Sequence, residues 1–176
     1  WTHPWHASIE VLHVVLPPLL NGRIDAAKVL GVLEGYQNDR GGWGHASDHR
    51  GMGAAFHFVP IYRAAGRTMP RLEQLTAYVL RHEPISGGFA AMDALYILHY
   101  AGSVGVVAAG DVPIAPFIDF LYPKEVVDVH QWIASAQILS LIGRIAGDSS
   151  APWRDAWEPE LWNTTGDAQP EQPAIS

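Results

Sequence analysis

Cysteine is absent from this chain of 176 residues. Its absence excludes disulfides, thiolate nucleophiles and cysteine-ligated zinc. Charged residues are also scarce, at 16% of the chain against 48% hydrophobic residues, a balance typical of a well-buried globular protein rather than a disordered one. The length suits one domain built around a single core.

Long apolar runs are missing as well. The longest candidate, VLHVVLPPLL at 11–20, is interrupted by His13, Pro17 and Pro18, and it falls short of the roughly 18 residues that a membrane helix needs. The sequence therefore predicts no membrane span. Because the first residue is Trp1 rather than methionine, we expect a processed or trimmed product with an N-terminal region missing, and the compartment stays open.

The chain also lacks a concentration of positively charged residues. The net charge is −7, of which residues 148–176 carry −5 and residues 1–147 carry −2. A near-neutral body has no basic stripe to neutralise phosphates, so nucleic acid is not expected as a partner.

Hydrophobic residues follow a helical spacing along almost the whole chain. Glycine and proline divide it into seven predicted helices, near 5–20, 24–36, 51–65, from 68 onward, 90–101, a short one that Pro113 and Pro116 begin, and 126–146. A further stripe of Trp153, Trp157 and Leu161 is predicted to clamp onto the core. The sequence thus predicts an all-α domain of stacked helical hairpins over residues 1–162, followed by an acidic, disordered tail at 163–176.

A glycine-aromatic turn recurs between these helices. GGWG at 41–44 precedes one predicted helix and GGF at 87–89 precedes another. With Gln37, these turns resemble the repeats of the α/α-toroid superfamily, which includes terpenoid cyclases, protein prenyltransferase β-subunits and enzymes acting on carbohydrates. The resemblance implies a partial α/α toroid that is a fragment or completes its shape as a homo-oligomer. The chain lacks DxDD and DDxxD motifs and the zinc-binding cysteine, so the resemblance indicates architecture only.

Histidine is concentrated in QNDRGGWGHASDHRGMGAAFHF at 37–58. One interpretation is a metal site, with His45, His49 and His57 as ligands beside Asp48. A second is a polar helix start, in which Asp48 caps the third helix, His45 and His49 lie in a solvated loop, and His57 is a core histidine. The segment THPWH at 2–6 is interpreted as a loose or docking terminus.

The third interpretation is acid–base chemistry, because histidine titrates near neutral pH and a carboxylate can orient it. His57 and His49 are the predicted proton carriers, and Asp48 and Asp93 are their predicted carboxylate partners. Asp93 lies on an otherwise apolar helix, where an acid must find a partner or a wet cavity. Aromatic residues at Trp43, Tyr96 and Tyr100 are the predicted substrate-binding walls.

We therefore expect an enzyme, or the catalytic part of one, that uses His/Asp acid–base chemistry without a cofactor. The first expected substrate is an oligosaccharide or another small molecule, acted on by a lyase or hydrolase. The open alternatives are a terpenoid-type cyclase, a metal-dependent enzyme, and a non-catalytic scaffold or oligomerising module.

Overall fold

The computed structural model describes residues 3–44, 49–81, 88–121 and 129–147. These ranges contain helices and no named strand, which confirms the predicted all-α class. The helices are α1 (Pro4–Leu20), α2 (Ala26–Glu34), α3 (His49–Ala64), α4 (Leu72–Arg81), α5 (Gly88–Ser103), α6 (Ala115–Ile118) and α7 (Val129–Ile145), with a 3-10 turn at Ala109–Asp111. The partial toroid stays a prediction. The stripe at 153–161 and the tail lie outside the described residues.

Local contacts and backbone conformation determine where α2 and α4 begin. Asp25 caps α2, where its Oδ1 accepts hydrogen bonds from the backbone N–H of Ala27 at 2.9 Å and of Lys28 at 3.4 Å. The predicted start of α4 at Thr68 is wrong. Arg71 has a φ of 52°, outside the helical region, so the helix begins only at Leu72.

Helices α3 and α5 form the centre of the molecule. Helix α3 packs against α1 on one side and α5 on the other, and α5 also packs against α7 and α4. Most residues of α3 and α5 are buried whichever side of the helix they occupy. A helix that is apolar all round is stable only when neighbours cover it on several sides. The two helices that carry His57 and Asp93 are therefore the most enclosed.

The glycine-rich turn before α3 is tied to the segment before α4. The Gln37 Nε2 donates to the carbonyl oxygens of Gly41, at 3.0 Å, and Pro70, at 2.6 Å. The Arg71 guanidinium donates to the carbonyl oxygens of Gln37 and Asn38. These bonds satisfy backbone oxygens that no helix pairs, and they fix where the chain turns toward α3.

None of the helices in the described ranges combines the length and hydropathy needed to cross a membrane.

Candidate functional site

Three helices meet at Gly53, in the middle of α3. A Cβ atom built on Gly53 would lie 2.5 Å from the Trp5 Cδ1 of α1 and 2.9 Å from the Asp93 Oδ2 of α5. Such distances are shorter than real Cβ contacts, so glycine is what allows the indole and the carboxyl to approach the helix here. His57 follows Gly53 by one turn on the same face of α3. We call Trp5, Ser8, Gly53, His57 and Asp93 the α1–α3–α5 cluster.

The carboxyl group of Asp93 is buried, and one of its two oxygen atoms has no hydrogen-bond partner among the described residues. The residue is 4% exposed, and its Oδ1 atom is inaccessible and has no hydrogen-bond partner within the described part of the chain. Burial raises the pKa of Asp93 well above its usual value, because the charged form loses its hydration. Burial therefore favours the neutral carboxylic acid over the carboxylate, and the neutral form has a proton to donate.

His57 is shifted in the opposite direction. It is 3% exposed, and its Nδ1 lies 2.9 Å from the Oγ of Ser8 on α1. Burial, and then the nearby His13 and His6, lower the pKa of His57 to about 4. The ring is therefore neutral at pH 7 and keeps a lone pair on one nitrogen.

Aromatic rings lie around His57 and Trp5. The ring centroid of His57 lies 6.0 Å from that of Trp5 and 4.9 Å from that of Phe56. Phe56 in turn packs edge to face on Tyr96, with centroids 4.9 Å apart, and Phe89 lies 6.5 Å from Trp5. Tyr96, a predicted wall residue, thus adjoins the cluster through Phe56.

The predicted partners His57 and Asp93 adjoin the same tryptophan. The Trp5 ring packs near His57, and its Nε1 lies 3.0 Å from the Cβ position of Gly53, beside Asp93. This buried Nε1 has no hydrogen-bond partner among the described residues. The structure therefore brings the acid and the histidine each close to Trp5, whose Nε1 donor has no hydrogen-bond partner in the described part of the chain.

Among the described residues, the other histidine candidate, His49, lies away from this cluster. His49 is exposed at the first residue of α3, eight residues and therefore about 12 Å along the helix axis from His57. The predicted site residues His45 and Asp48 lie outside the described residues. Within the described ranges, no group of three or more histidine, aspartate or glutamate side chains is placed to hold a metal ion. His49 and His57 are too far apart along α3 to suit a shared ion.

Trp43 and Tyr100, the remaining predicted wall residues, support the fold. Trp43 is fully buried against Phe58 and Tyr62, and its Nε1 donates to the Leu33 carbonyl oxygen at 2.8 Å. The Tyr100 hydroxyl accepts a hydrogen bond from the backbone N–H of Met69 at 3.0 Å. Each side chain uses its polar atom to hold a neighbouring segment in place.

This role for Tyr100 predicts that Tyr100→Phe lowers the free energy of unfolding by about 1–3 kcal/mol, because the buried N–H of Met69 loses its acceptor. Denaturant titration measures the loss. Tyr36→Phe is the matched control: Tyr36 is half exposed, so the same change there is expected to stay within about 0.5 kcal/mol. Equal effects of the two variants would contradict the assignment.

Sequence reasoning missed Trp5, Ser8 and Gly53 as members of the cluster. Gly53 carried a usable signal, because a glycine inside a helical pattern usually has a packing reason. Ser8 and His57 are 49 positions apart, and helical periodicity contains no information about that pairing.

No family model matches the sequence, and no match was found among curated proteins or solved structures, so the chemistry of the cluster is the guide to function.

Proposed function

We propose that the chain is an enzyme, or the catalytic part of one, in which Asp93 donates a proton and His57 accepts one. The observation that carries this proposal is the buried Asp93 carboxyl with an unpartnered Oδ1. An unpaired acid in an apolar interior lowers the stability of the fold. Titratable groups perturbed in this way cluster at functional sites.

Burial shifts the pKa values of the two groups in opposite directions. It raises the pKa of Asp93, which favours the protonated acid, and lowers the pKa of His57 to about 4, which keeps the ring neutral at pH 7. Environments that push the pKa values of two groups apart are the usual basis for assigning an acid and a base. Asp93 is then the general acid and His57 the general base.

An uncharged carbohydrate is the first proposed substrate, acted on by a hydrolase or lyase. Two features support it: the titratable groups of the cluster are neutral, and Trp5, Phe56, Phe89 and Tyr96 supply flat rings of the kind that pack on sugar faces. The unused Trp5 Nε1 offers a donor to a substrate hydroxyl.

Terpenoid-type cyclisation is the second candidate. A buried carboxylic acid beside aromatic faces also suits protonation of an alkene, because the electron-rich faces attract the carbocation that forms. The edge-to-face pair of Phe56 and Tyr96 next to His57 favours this alternative. An uncharged oligosaccharide and an uncharged polyene are therefore the two probes to compare.

Turnover of a panel of neutral oligosaccharides and polyenes, followed by mass spectrometry, tests the proposal. For the probe that is converted, His57→Gln and Asp93→Asn are expected to lower kcat by 100-fold or more, within the range of about 10²–10⁴ for general acid–base groups. His99→Gln is the matched control. Burial also lowers the pKa of His99 to about 4, but the charges near His99 are those of Arg63 and Arg144 rather than the groups of the cluster. Unchanged turnover in both cluster variants would contradict the proposal. No conversion of any probe would favour the scaffold.

A further inference from the structure

Ser8 makes two contacts with its single hydroxyl group. The residue is fully buried on α1, and its Oγ lies 2.6 Å from the Trp5 carbonyl oxygen and 2.9 Å from the His57 Nδ1. A hydroxyl has one proton and two lone pairs. A carbonyl oxygen only accepts, so the Ser8 proton must be donated to Trp5.

The proton position on His57 follows from that assignment. With its proton committed to Trp5, the Ser8 Oγ offers only a lone pair to the imidazole ring. The His57 Nδ1 must then carry the ring proton and donate it to Ser8. In a neutral ring one nitrogen is protonated and the other is not, so the basic lone pair is on Nε2.

We infer that Ser8 is a positioning residue that fixes the Nδ1–H tautomer of His57 and thereby makes Nε2 the proton acceptor. This inference rests on the proposed function for its catalytic meaning, although the tautomer is a property of the resting protein. Ser8 acts through its hydrogen bond to His57. A hydrogen bond to one ring nitrogen of a histidine usually decides which of the two nitrogens carries the proton.

The Trp5 backbone takes part in the same arrangement. Its carbonyl oxygen orients the Ser8 hydroxyl, while its indole ring packs near His57 and places Nε1 beside Asp93. The first turn of α1 thus places Trp5 next to His57 and, at the Gly53 position, near Asp93. Docking of α1 on α3 is therefore needed for the tautomer as well as for the enclosure of the cluster.

Long-range ¹H–¹⁵N correlation spectra of the imidazole rings, recorded on the full chain at pH 7.5, test the inference directly. The signals of His57 are identified as those that disappear in the His57→Gln variant. We expect a protonated Nδ1 and an unprotonated Nε2. In Ser8→Ala the acceptor is lost, and we expect the Nε2–H form to appear. Ser8→Thr retains a hydroxyl and is expected to restore the Nδ1–H form. Ser140→Ala, at a buried serine of α7, is expected to leave the His57 signals unchanged.

Two results would overturn the role of Ser8. One is an Nε2–H tautomer in the unmodified protein, a measurement that does not depend on whether a Ser8 variant folds. The other is an Nδ1–H tautomer that persists in folded Ser8→Ala. If the proposed function were wrong, the result would be different. The expected tautomer would be seen, but the His57→Gln variant would still convert the probe.

Discussion

Gly41→Ala is expected to lower the free energy of unfolding by about 2–5 kcal/mol. Gly41 has a φ of 80°, a left-handed conformation that costs an L-residue about 1–2 kcal/mol. A Cβ there would also lie 2.5 Å from the Arg71 carbonyl oxygen and 2.8 Å from the Leu75 Cβ. Because the oxygen belongs to the backbone, the contact is relieved only by shifting the segment before α4, and overpacking of this kind costs about 1–3 kcal/mol.

Gly22→Ala separates the two contributions. Gly22 also has a positive φ, 63°, but nothing lies within 4 Å of its Cβ position. The control is therefore expected to lose only the conformational part, about 1–2 kcal/mol. Denaturant titration of both variants gives the difference. Equal losses would show that the turn does not pack against α4 as described.

The second large effect is a decline of stability below neutral pH. The unfolded chain protonates His57 near its ordinary pKa of 6.5, whereas the folded protein keeps it neutral down to about 4. Between these values the unfolded state binds more protons, so stability is lost as the pH falls from 6.5 towards 4. The shift corresponds to about 3 kcal/mol from His57. His99, with its pKa also lowered to about 4, acts in the same direction.

Asp93 has the opposite dependence. Its pKa is raised in the folded state, so the folded protein binds more protons than the unfolded chain once the pH exceeds the ordinary value near 3.8. Its contribution therefore falls as the pH rises from about 4 to the folded pKa, by about 1.4 kcal/mol per pH unit. From pH 4 to 6.5 the two histidines outweigh it, so we expect maximal stability near pH 6.5.

Asp93→Asn is accordingly expected to be more stable than the unmodified protein at pH 7 and to match it below pH 4. The measurement is the free energy of unfolding across pH 3–9. Asp119→Asn is the matched control at an exposed aspartate, where the change in the free energy of unfolding is expected to stay within about 0.5 kcal/mol. A loss of stability in Asp93→Asn at pH 7 would show that the carboxylate is ionised and paired. A gain in stability together with lost turnover is what a functional acid predicts.

The sequence predicted the helices well where one physical signal dominates. Hydrophobic spacing located α1, α3 and α5, and the lone acid in the apolar α5 marked Asp93 as an unusual group. The start of α4 was missed because Thr68 and Pro70 resemble a helix start, while the left-handed Arg71 that delays it has no compositional signal.

The parts of the site that escaped prediction depend on contacts between distant segments. Trp43 and Tyr100 are predicted as substrate-binding walls, and that role stays a prediction. The bonds of their polar atoms to Leu33 and Met69 have no signal in the sequence. Ser8 became part of the site only when α1 docked on α3. Local patterns specify which residues are apolar or polar, but not which of them meet.

The protonation state of Asp93 tests the central claim most directly. Carbon-13 labelling of aspartate allows the carboxyl shift of Asp93, assigned by its loss in Asp93→Asn, to be followed from pH 3 to pH 9. An acid–base centre predicts that Asp93 is still protonated at pH 7, with its pKa well above the ordinary 3.8. An Asp93 that titrates near 3.8 would be ionised at neutral pH, would have no proton to donate, and would contradict the account.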